Sequence, residues 1–241
     1  MAAADKIVAV TGGHFAPAYS VTKALISRGS PVLFFGRASV FEDGKDRSLE
    51  KETISPLTNV QFISLDAPRI TSFVSIFRFI TACFEVFKIF ILHRPSKIIS
   101  FGGYVSFPVC IVGYILFIPI FLHEQTIMPG KANTILARFA KKIFVSFPEA
   151  LNFFPRHKTM CIGNPLRERY EVHQKPLWYP KTDKPLLLIL GGSSGSHSLN
   201  LLIKPLISEL SKKYCLIHQI GDSSYGDYED LRHQTSKSYI P

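Results

Sequence analysis

"TGGHFAPAYSVTKAL", residues 11–25, directly follows the apolar run IVAV at residues 7–10. The run reads as a strand and the longer stretch as a helix, with a glycine pair between them. Gly12 and Gly13 let the backbone turn sharply and approach a ligand, and the helix start offers unpaired N–H groups to negative charge. A diphosphate suits such a turn. The same glycines also serve connections that need only their geometry, and the full GxGxxG pattern is absent. His14 sits next, either as a proton acceptor at the mouth of the sheet or as a hydrogen-bonded structural residue.

Working outward, apolar runs of strand length recur with helix-length segments between them. They are KIVAV (6–10), PVLFFG (31–36), VQFISL (60–65), KIIS (97–100), IPIFLHE (118–124) and KIFVSF (142–147). Continuous rather than alternating apolar runs predict an α/β fold with a parallel sheet buried on both faces. The pattern loosens around residues 150–180, and four prolines follow Gly163. The expected organisation is a first domain over 1–162, a connection over 163–184 and a second domain beginning at 185. That second part gives the strand PLLLIL (185–190), the turn GGSSGS (191–196), a helix from about Ser198 to Lys212 and the strand YCLIHQIG. Residues 185–241 are few for an independent α/β domain, which predicts an incomplete second lobe or one that docks on a partner.

The formal net charge is +10, with 18 basic against 10 acidic residues before Pro165 and 10 against 8 after it. A basic first part suits an anionic membrane surface or a phosphorylated ligand. Nucleic acid fits poorly, because the basic residues are scattered among apolar stretches and no zinc-finger, RRM or helix-turn-helix pattern is present. The four cysteines form no CxxC pair and have no histidine at ligand spacing, so no metal site is expected.

Residues 105–122 carry no charge over eighteen positions, the length that raises a transmembrane helix. Pro119 argues against it, at about 3 kcal/mol in a helix interior. A helix ending near Phe117 and then a buried strand avoids that cost. In residues 70–94, Phe73, Phe77, Ile80, Phe84, Phe87 and Ile91 fall on one helical face, with Arg78 and Lys88 nearby. This stripe either packs on the sheet or lies among the headgroups of an anionic bilayer.

Two further glycine turns, FGGYVSFP (101–108) and GGSSGS, also follow strands, and HEQT (123–126) ends another. All would stand at the carboxyl ends of parallel strands, where open α/β sheets hold ligands, and two such units face to face would leave a cleft. The segments TGGHxxPA, FGGYVSFP, HEQTIMPGKANTILAR (123–138), VSFPEA (145–150), GNPLR (163–167) and LGGSSGSHSLN (190–200) resemble, in order and spacing, the MurG family of peptidoglycan N-acetylglucosaminyltransferases.

The resemblance implies a GT-B glycosyltransferase with two Rossmann-like lobes, the second incomplete here because family members continue past the equivalent of Pro241. It implies transfer of GlcNAc from UDP-GlcNAc, with inversion, to the lipid-linked acceptor undecaprenyl-pyrophosphoryl-MurNAc-pentapeptide. The setting would be peripheral, on the cytoplasmic face of the bacterial inner membrane, with neither metal nor cofactor. Residue by residue, it implies His14 as general base, with Glu124 competing for that role. Thr11, Gly12, Gly13, Thr126, Arg167 and Ser193 would serve the donor, and Gly103 and Tyr104 the acceptor. The chain departs from the family at Thr126, where asparagine is usual, at Ala9 and Val10, where a glycine pair is usual, and at Ser194, where glutamine is common. The other reading is a non-catalytic remnant, or an acceptor-binding, membrane-recruiting subunit that needs a protein partner to complete the donor lobe.

Overall fold

A computed structural model describes residues 6–37, 49–67, 73–166, 178–192, 195–221 and 225–241. The chain divides into two compact units, Met1–Tyr170 and Glu171–Pro241.

The first unit holds seven strands: β1 (Val8–Thr11), β2 (Val32–Gly36), β3 (Val60–Ser64), β4 (Lys97–Ser100), β5 (Ile120–Glu124), β6 (Lys142–Val145) and β7 (Thr159–Cys161). They form one sheet in the order β3-β2-β1-β4-β5-β6-β7, and every pair is parallel. The strand order reverses between β1 and β4, so the turns leaving these two strands flank the point where such sheets open a crevice. Connecting helices are α1 (Phe15–Ser27), α2 (Leu49–Ile54), α3 (Phe73–His93), α4 (Gly103–Ile115) and α5 (Lys131–Leu136). Six strands lie where the apolar runs placed them. The seventh, β7, arises within the loosened stretch, where three residues between two 3-10 turns pair with β6 at the sheet edge.

Alternate residues of the strands divide between two cores, which is why the runs are continuous. Ala9, Leu33, Phe35 and Ile98 pack with Val86 and Phe90 of α3 and with Val105 and Val109 of α4. Val8, Val10, Val32 and Phe34 pack on the other face with Ala18 of α1 and Ile54 of α2. Burying a side chain of this size contributes roughly 1.5–3 kcal/mol, so the central strands are the unit's anchor.

The uncharged stretch is a helix and a strand, as expected: α4 ends at Ile115, Phe117 turns with φ +57°, and β5 begins at Ile120. No described helix is long and apolar enough to cross a membrane. The stripe of α3 does not pack on the sheet. Ala82, Val86 and Phe90 face the core, while Phe77 (68% exposed), Ile80, Phe84 (59%), Phe87 and Ile91 face outward. Lys88 lies over the Phe84 ring at 4.5 Å, and Arg78 Nε donates to Asp66 Oδ2 at 2.9 Å.

The second unit has β8 (Leu186–Leu190), β9 (Cys215–Gln219) and β10 (Tyr239–Ile240), parallel in the order β10-β9-β8. The single helix expected from Ser198 to Lys212 is instead α6 (His197–Ile203), a 3-10 turn over Lys204–Leu206, and α7 (Ile207–Lys213). Pro205 causes the break, because it has no N–H to donate and its ring crowds the preceding turn. α8 (Asp227–Arg232) follows β9. Ile207, Leu216, Ile220, Leu231 and Tyr239 form the core.

Candidate functional site

The first two glycine turns are locked against each other at the switch point. Gly13 has φ +115°, and a Cβ there would collide with the carbonyl of Gly102; Gly103, at φ +77°, would in turn place a Cβ 2.9 Å from Gly13 Cα. Glycine is thus required at both positions for backbone-on-backbone contact.

Thr11, expected on the donor, lies fully buried beneath this contact. Its hydroxyl meets Ser106 Oγ at 2.7 Å and Ser100 Oγ at 3.3 Å, and accepts from the Phe101 amide at 3.3 Å. The side chain therefore ties β1 to β4 and to the start of α4. The amides of the first turn are also occupied: Gly12 N–H donates to Phe35 O at 2.7 Å, and Gly13 N–H to Glu50 Oε1 at 3.2 Å. Glu50 Oε2 accepts from the Arg37 amide at 3.1 Å. The Gly12 and Gly13 amides are thus engaged within the chain. In contrast, the first-turn amides of α4, beginning at Gly103, have no intrahelical acceptor. Beside them Tyr104 is 46% exposed, with the Arg37 guanidinium 5.4 Å from its ring centre.

The HEQT segment closes the edge beyond β5. Glu124 is 2% exposed and both its oxygens are taken. Oε1 accepts from the Thr126 amide (3.0 Å) and hydroxyl (2.6 Å), and Oε2 from the Gly130 amide (3.1 Å) and Asn133 Nδ2 (3.0 Å). Burial pushes its pKa up, but the bonds from Thr126, Asn133 and Gly130 outweigh this and hold it below the ordinary value. A carboxylate so saturated is a poor proton acceptor. Glu124 anchors the loop into α5.

Thr126 is likewise drawn inward, its hydroxyl lying 2.7 Å from Met128 O as well. His123 is buried, with its ring 5.4 Å from that of Phe101 and Nε2 3.1 Å from Gly163 O. The carbonyl partner places the proton on Nε2, and this bond fastens the start of GNPLR to the end of β5.

His14 differs from all of these. It is exposed at the start of α1, and its ring has no hydrogen-bond partner among the described residues. Burial of part of the imidazole lowers its pKa and the Glu124 charge raises it, with a net lowering; His14 in turn depresses His123. The TGGH and HEQT histidines and Glu124 are therefore electrostatic neighbours, and the group left neutral and reachable is His14.

In the second unit the GGSSGS turn leaves β8 and presses on the end of β9. Gly195 has φ +76°, and a Cβ there would collide with the Ile220 carbonyl. Ser196 caps α6, accepting from the Leu199 amide at 3.4 Å. Arg167 and Ser193, the two expected donor contacts, lie outside the described residues.

A model of the glycosyltransferase family 28 N-terminal domain matches residues 8–145. The chain belongs to glycosyltransferase family 28. The curated relatives of this family 28 chain include the UDP-N-acetylglucosamine--N-acetylmuramyl-(pentapeptide) pyrophosphoryl-undecaprenol N-acetylglucosamine transferases of two bacteria. That of Sulfurihydrogenibium sp. is 32% identical over 208 residues, covering 86% of the chain and 59% of that protein. That of Treponema pallidum is 33% identical over 242 positions, covering 95% and 60%. The chain thus spans about three fifths of the length of these relatives, and the resemblance read from the motifs is borne out.

Among solved structures, Acinetobacter baumannii MurG superposes with TM-score 0.65 at 23% identity, over 98% of the chain and 66% of that protein. A UDP complex of Staphylococcus aureus MnaA gives 0.63 at 11% identity, over 98% and 68%. The fold of the family 28 chain is therefore that of the GT-B glycosyltransferases, as expected.

Sequence reasoning missed three residues that shape the site. Glu50 follows no motif. Asn133 lies inside a quoted segment, and only the structure shows its Nδ2 bridging His123 O (3.1 Å) and Glu124. Arg37 directly follows Gly36 at the end of β2, a position beside the edge that strand placement alone could have flagged.

Proposed function

We propose that the chain serves GlcNAc transfer from UDP-GlcNAc to undecaprenyl-pyrophosphoryl-MurNAc-pentapeptide, with inversion at the sugar carbon. The observation that carries this is His14: an unpartnered imidazole, favoured in its neutral form, standing beside the interlocked glycine turns. In the reaction the acceptor hydroxyl attacks the sugar carbon, the bond from that carbon to UDP breaks, and the hydroxyl proton passes to His14. The α4 start, with Gly103 and Tyr104, would take the acceptor's pyrophosphate. Arg167, Ser193 and the GGSSGS turn would hold the UDP leaving group, stabilising its charge without a metal. Thr11, Gly12, Gly13, Glu124 and Thr126 act indirectly, by fixing the turns. The connection over 163–184 joins an acceptor lobe to the donor lobe.

The outward stripe of α3 supports peripheral attachment to an anionic bilayer, on the cytoplasmic face where such a lipid-linked acceptor is made. Exposed phenylalanines enter the headgroup region while Lys88 meets the surface charge.

The purified chain, mixed with labelled UDP-GlcNAc and the lipid-linked acceptor in anionic vesicles, should yield transferred sugar. His14→Gln should lower the rate at least about a hundredfold, and the acid limb of the unsubstituted chain should lie below the ordinary histidine value of 6.5. Equal rates for the two chains would overturn the assignment of the base. Acceptor binding without transfer would support the second reading, a subunit that needs a partner to complete the donor lobe. That reading is favoured by the exposed Leu186, Leu188 and Leu190 of β8.

A further inference from the structure

The start of α1 already holds an anion, and that anion belongs to the chain. β1 and β2 are parallel neighbours, with Thr11 opposite Phe35, and a glycine stands at the end of each: Gly12 after β1 and Gly36 closing β2. The half-buried Glu50 side chain reaches from α2 into the space that these glycines leave. A Cβ on Gly12 would stand 2.7 Å from Oε1, and one on Gly36 2.7 Å from Oε2, so the cradle fits a carboxylate only because both positions lack a side chain. Two amides close it, Gly13 N–H donating to Oε1 at 3.2 Å and Arg37 N–H to Oε2 at 3.1 Å. α1 has no acidic residue in its own first turn, and its N-terminal neighbour His14 makes no side-chain cap. Glu50 thus supplies the negative charge that this helix start lacks.

α4 is the alternative. Both helices are 13 residues long, neither has an acidic first turn, and both begin beside the contact between Gly13 and Gly103. A diphosphate entering this crevice would meet two helix starts of the same polarity, one backbone contact apart. What distinguishes them is Glu50, which fills the cradle at α1 with donors satisfied and charge in place, whereas α4 has the Arg37 guanidinium and Tyr104 alongside. An anion at α1 would also sit against His14 and favour its protonated ring, which accepts no proton.

We propose that Glu50 is a specificity-determining residue: its carboxylate occupies the anion cradle of the first glycine turn, so that the acceptor's diphosphate goes to α4 and His14 stays open to the hydroxyl. The proposal rests on the reading that the α4 start takes that diphosphate. Glu50 touches neither the ligand nor the reacting atoms, and it acts by exclusion.

The test is 1H–15N NMR of the full chain with inorganic pyrophosphate, following the amides of Gly13, Arg37 and Gly103. In the unsubstituted chain Gly103 should move while Gly13 and Arg37 stay. In Glu50→Ala all three should move, and calorimetry should count one more bound pyrophosphate. Acetate, which restores the missing carboxylate, should move Gly13 and Arg37 in Glu50→Ala and weaken pyrophosphate there without changing Gly103. Pyrophosphate should also raise the titration midpoint of His14 further in the variant than in the unsubstituted chain, a response that a purely structural role for Glu50 does not give. Glu50→Gln keeps the side-chain length and loses the charge. It should show the same Gly13 response more weakly, which keeps the inference testable if the alanine chain fails to fold. If Gly13 follows pyrophosphate in the unsubstituted chain, or in neither variant, the inference is overturned. If Gly103 moves in no chain while Gly13 moves in Glu50→Ala, the reading of α4 fails and the exclusion by Glu50 stands.

Discussion

The two units are made of the same parallel strand-helix repeats, yet they expose their apolar residues in different ways. The seven-stranded sheet is covered on both faces, and a stripe of bare apolar groups rides on the outside of α3, whose inner side is packed. In the three-stranded sheet the bare groups are Leu186, Leu188 and Leu190, alternate positions of the edge strand β8. A helix satisfies its own backbone, so its apolar face can meet lipid. An edge strand exposes unpaired N–H and C=O groups beside its side chains, and only another polypeptide satisfies both. An apolar helix face is thus compatible with lipid, whereas an apolar edge strand is compatible with protein.

The largest effects should come from the glycines that hold each unit's turn. Gly13→Ala forces a side chain into φ +115° and against the Gly102 carbonyl. Left-handed strain of about 1–2 kcal/mol and overpacking of about 1–3 kcal/mol together predict a loss near 3 kcal/mol in the first unit. Gly195→Ala meets the Ile220 carbonyl at φ +76° and should do the same to the second. The chain's one tryptophan, Trp178, lies in the second unit, so urea unfolding followed by its fluorescence reports that unit while circular dichroism weights the first. Each substitution should move only its own transition. A variant within about 0.5 kcal/mol of the parent would show that the turn repacks freely.

Next in size is Glu124→Gln, expected to cost about 2 kcal/mol, since an amide cannot accept all four hydrogen bonds that the carboxylate does. The sign of its pH dependence follows from a native pKa held below the ordinary 4.5. The charged form is favoured by folding, so its contribution is complete above 4.5 and fades as pH falls through the native value. Stability measured between pH 7 and pH 3 should therefore drop less steeply in the variant. An identical acid slope in both chains would remove Glu124 as the anchor of the loop.

Much of the fold was legible because strand-length continuous apolar runs separated by helix-length segments fit strands buried on both sides, and six of them name the first sheet. β7 was not, because three residues at a sheet edge, TMC, bury too little to leave a pattern. The helix break at Lys204–Leu206 was written in Pro205 and passed over. At the site, motif order placed His14 beside HEQT correctly, since both end neighbouring parts of one sheet edge. What spacing could not convey was which polar groups the protein itself consumes. In one dimension Thr11 and Thr126 read as donor contacts and Glu124 as a candidate base. Their partners, Ser100, Ser106, Asn133 and Gly130, come from other turns, and only folding brings these together.

The smallest change in stability, and the sharpest contrast between the units, should come from their bare apolar groups. Phe77→Ser with Phe84→Ser in α3, and separately Leu188→Ser in β8, remove side chains that are 68%, 59% and 57% exposed, so stability should stay within about 0.5 kcal/mol. Binding to anionic vesicles separates them. Each phenylalanine entering the headgroup region contributes on the order of 1.4 kcal/mol, about half of a full burial. The double α3 variant should therefore partition on the order of a hundredfold more weakly, while Leu188→Ser should match the parent and instead reduce self-association. If Leu188→Ser weakened vesicle binding as much as the α3 pair, the apolar surfaces of the two units would have the same partner, and the distinction between a lipid-facing helix and a protein-facing strand would fail.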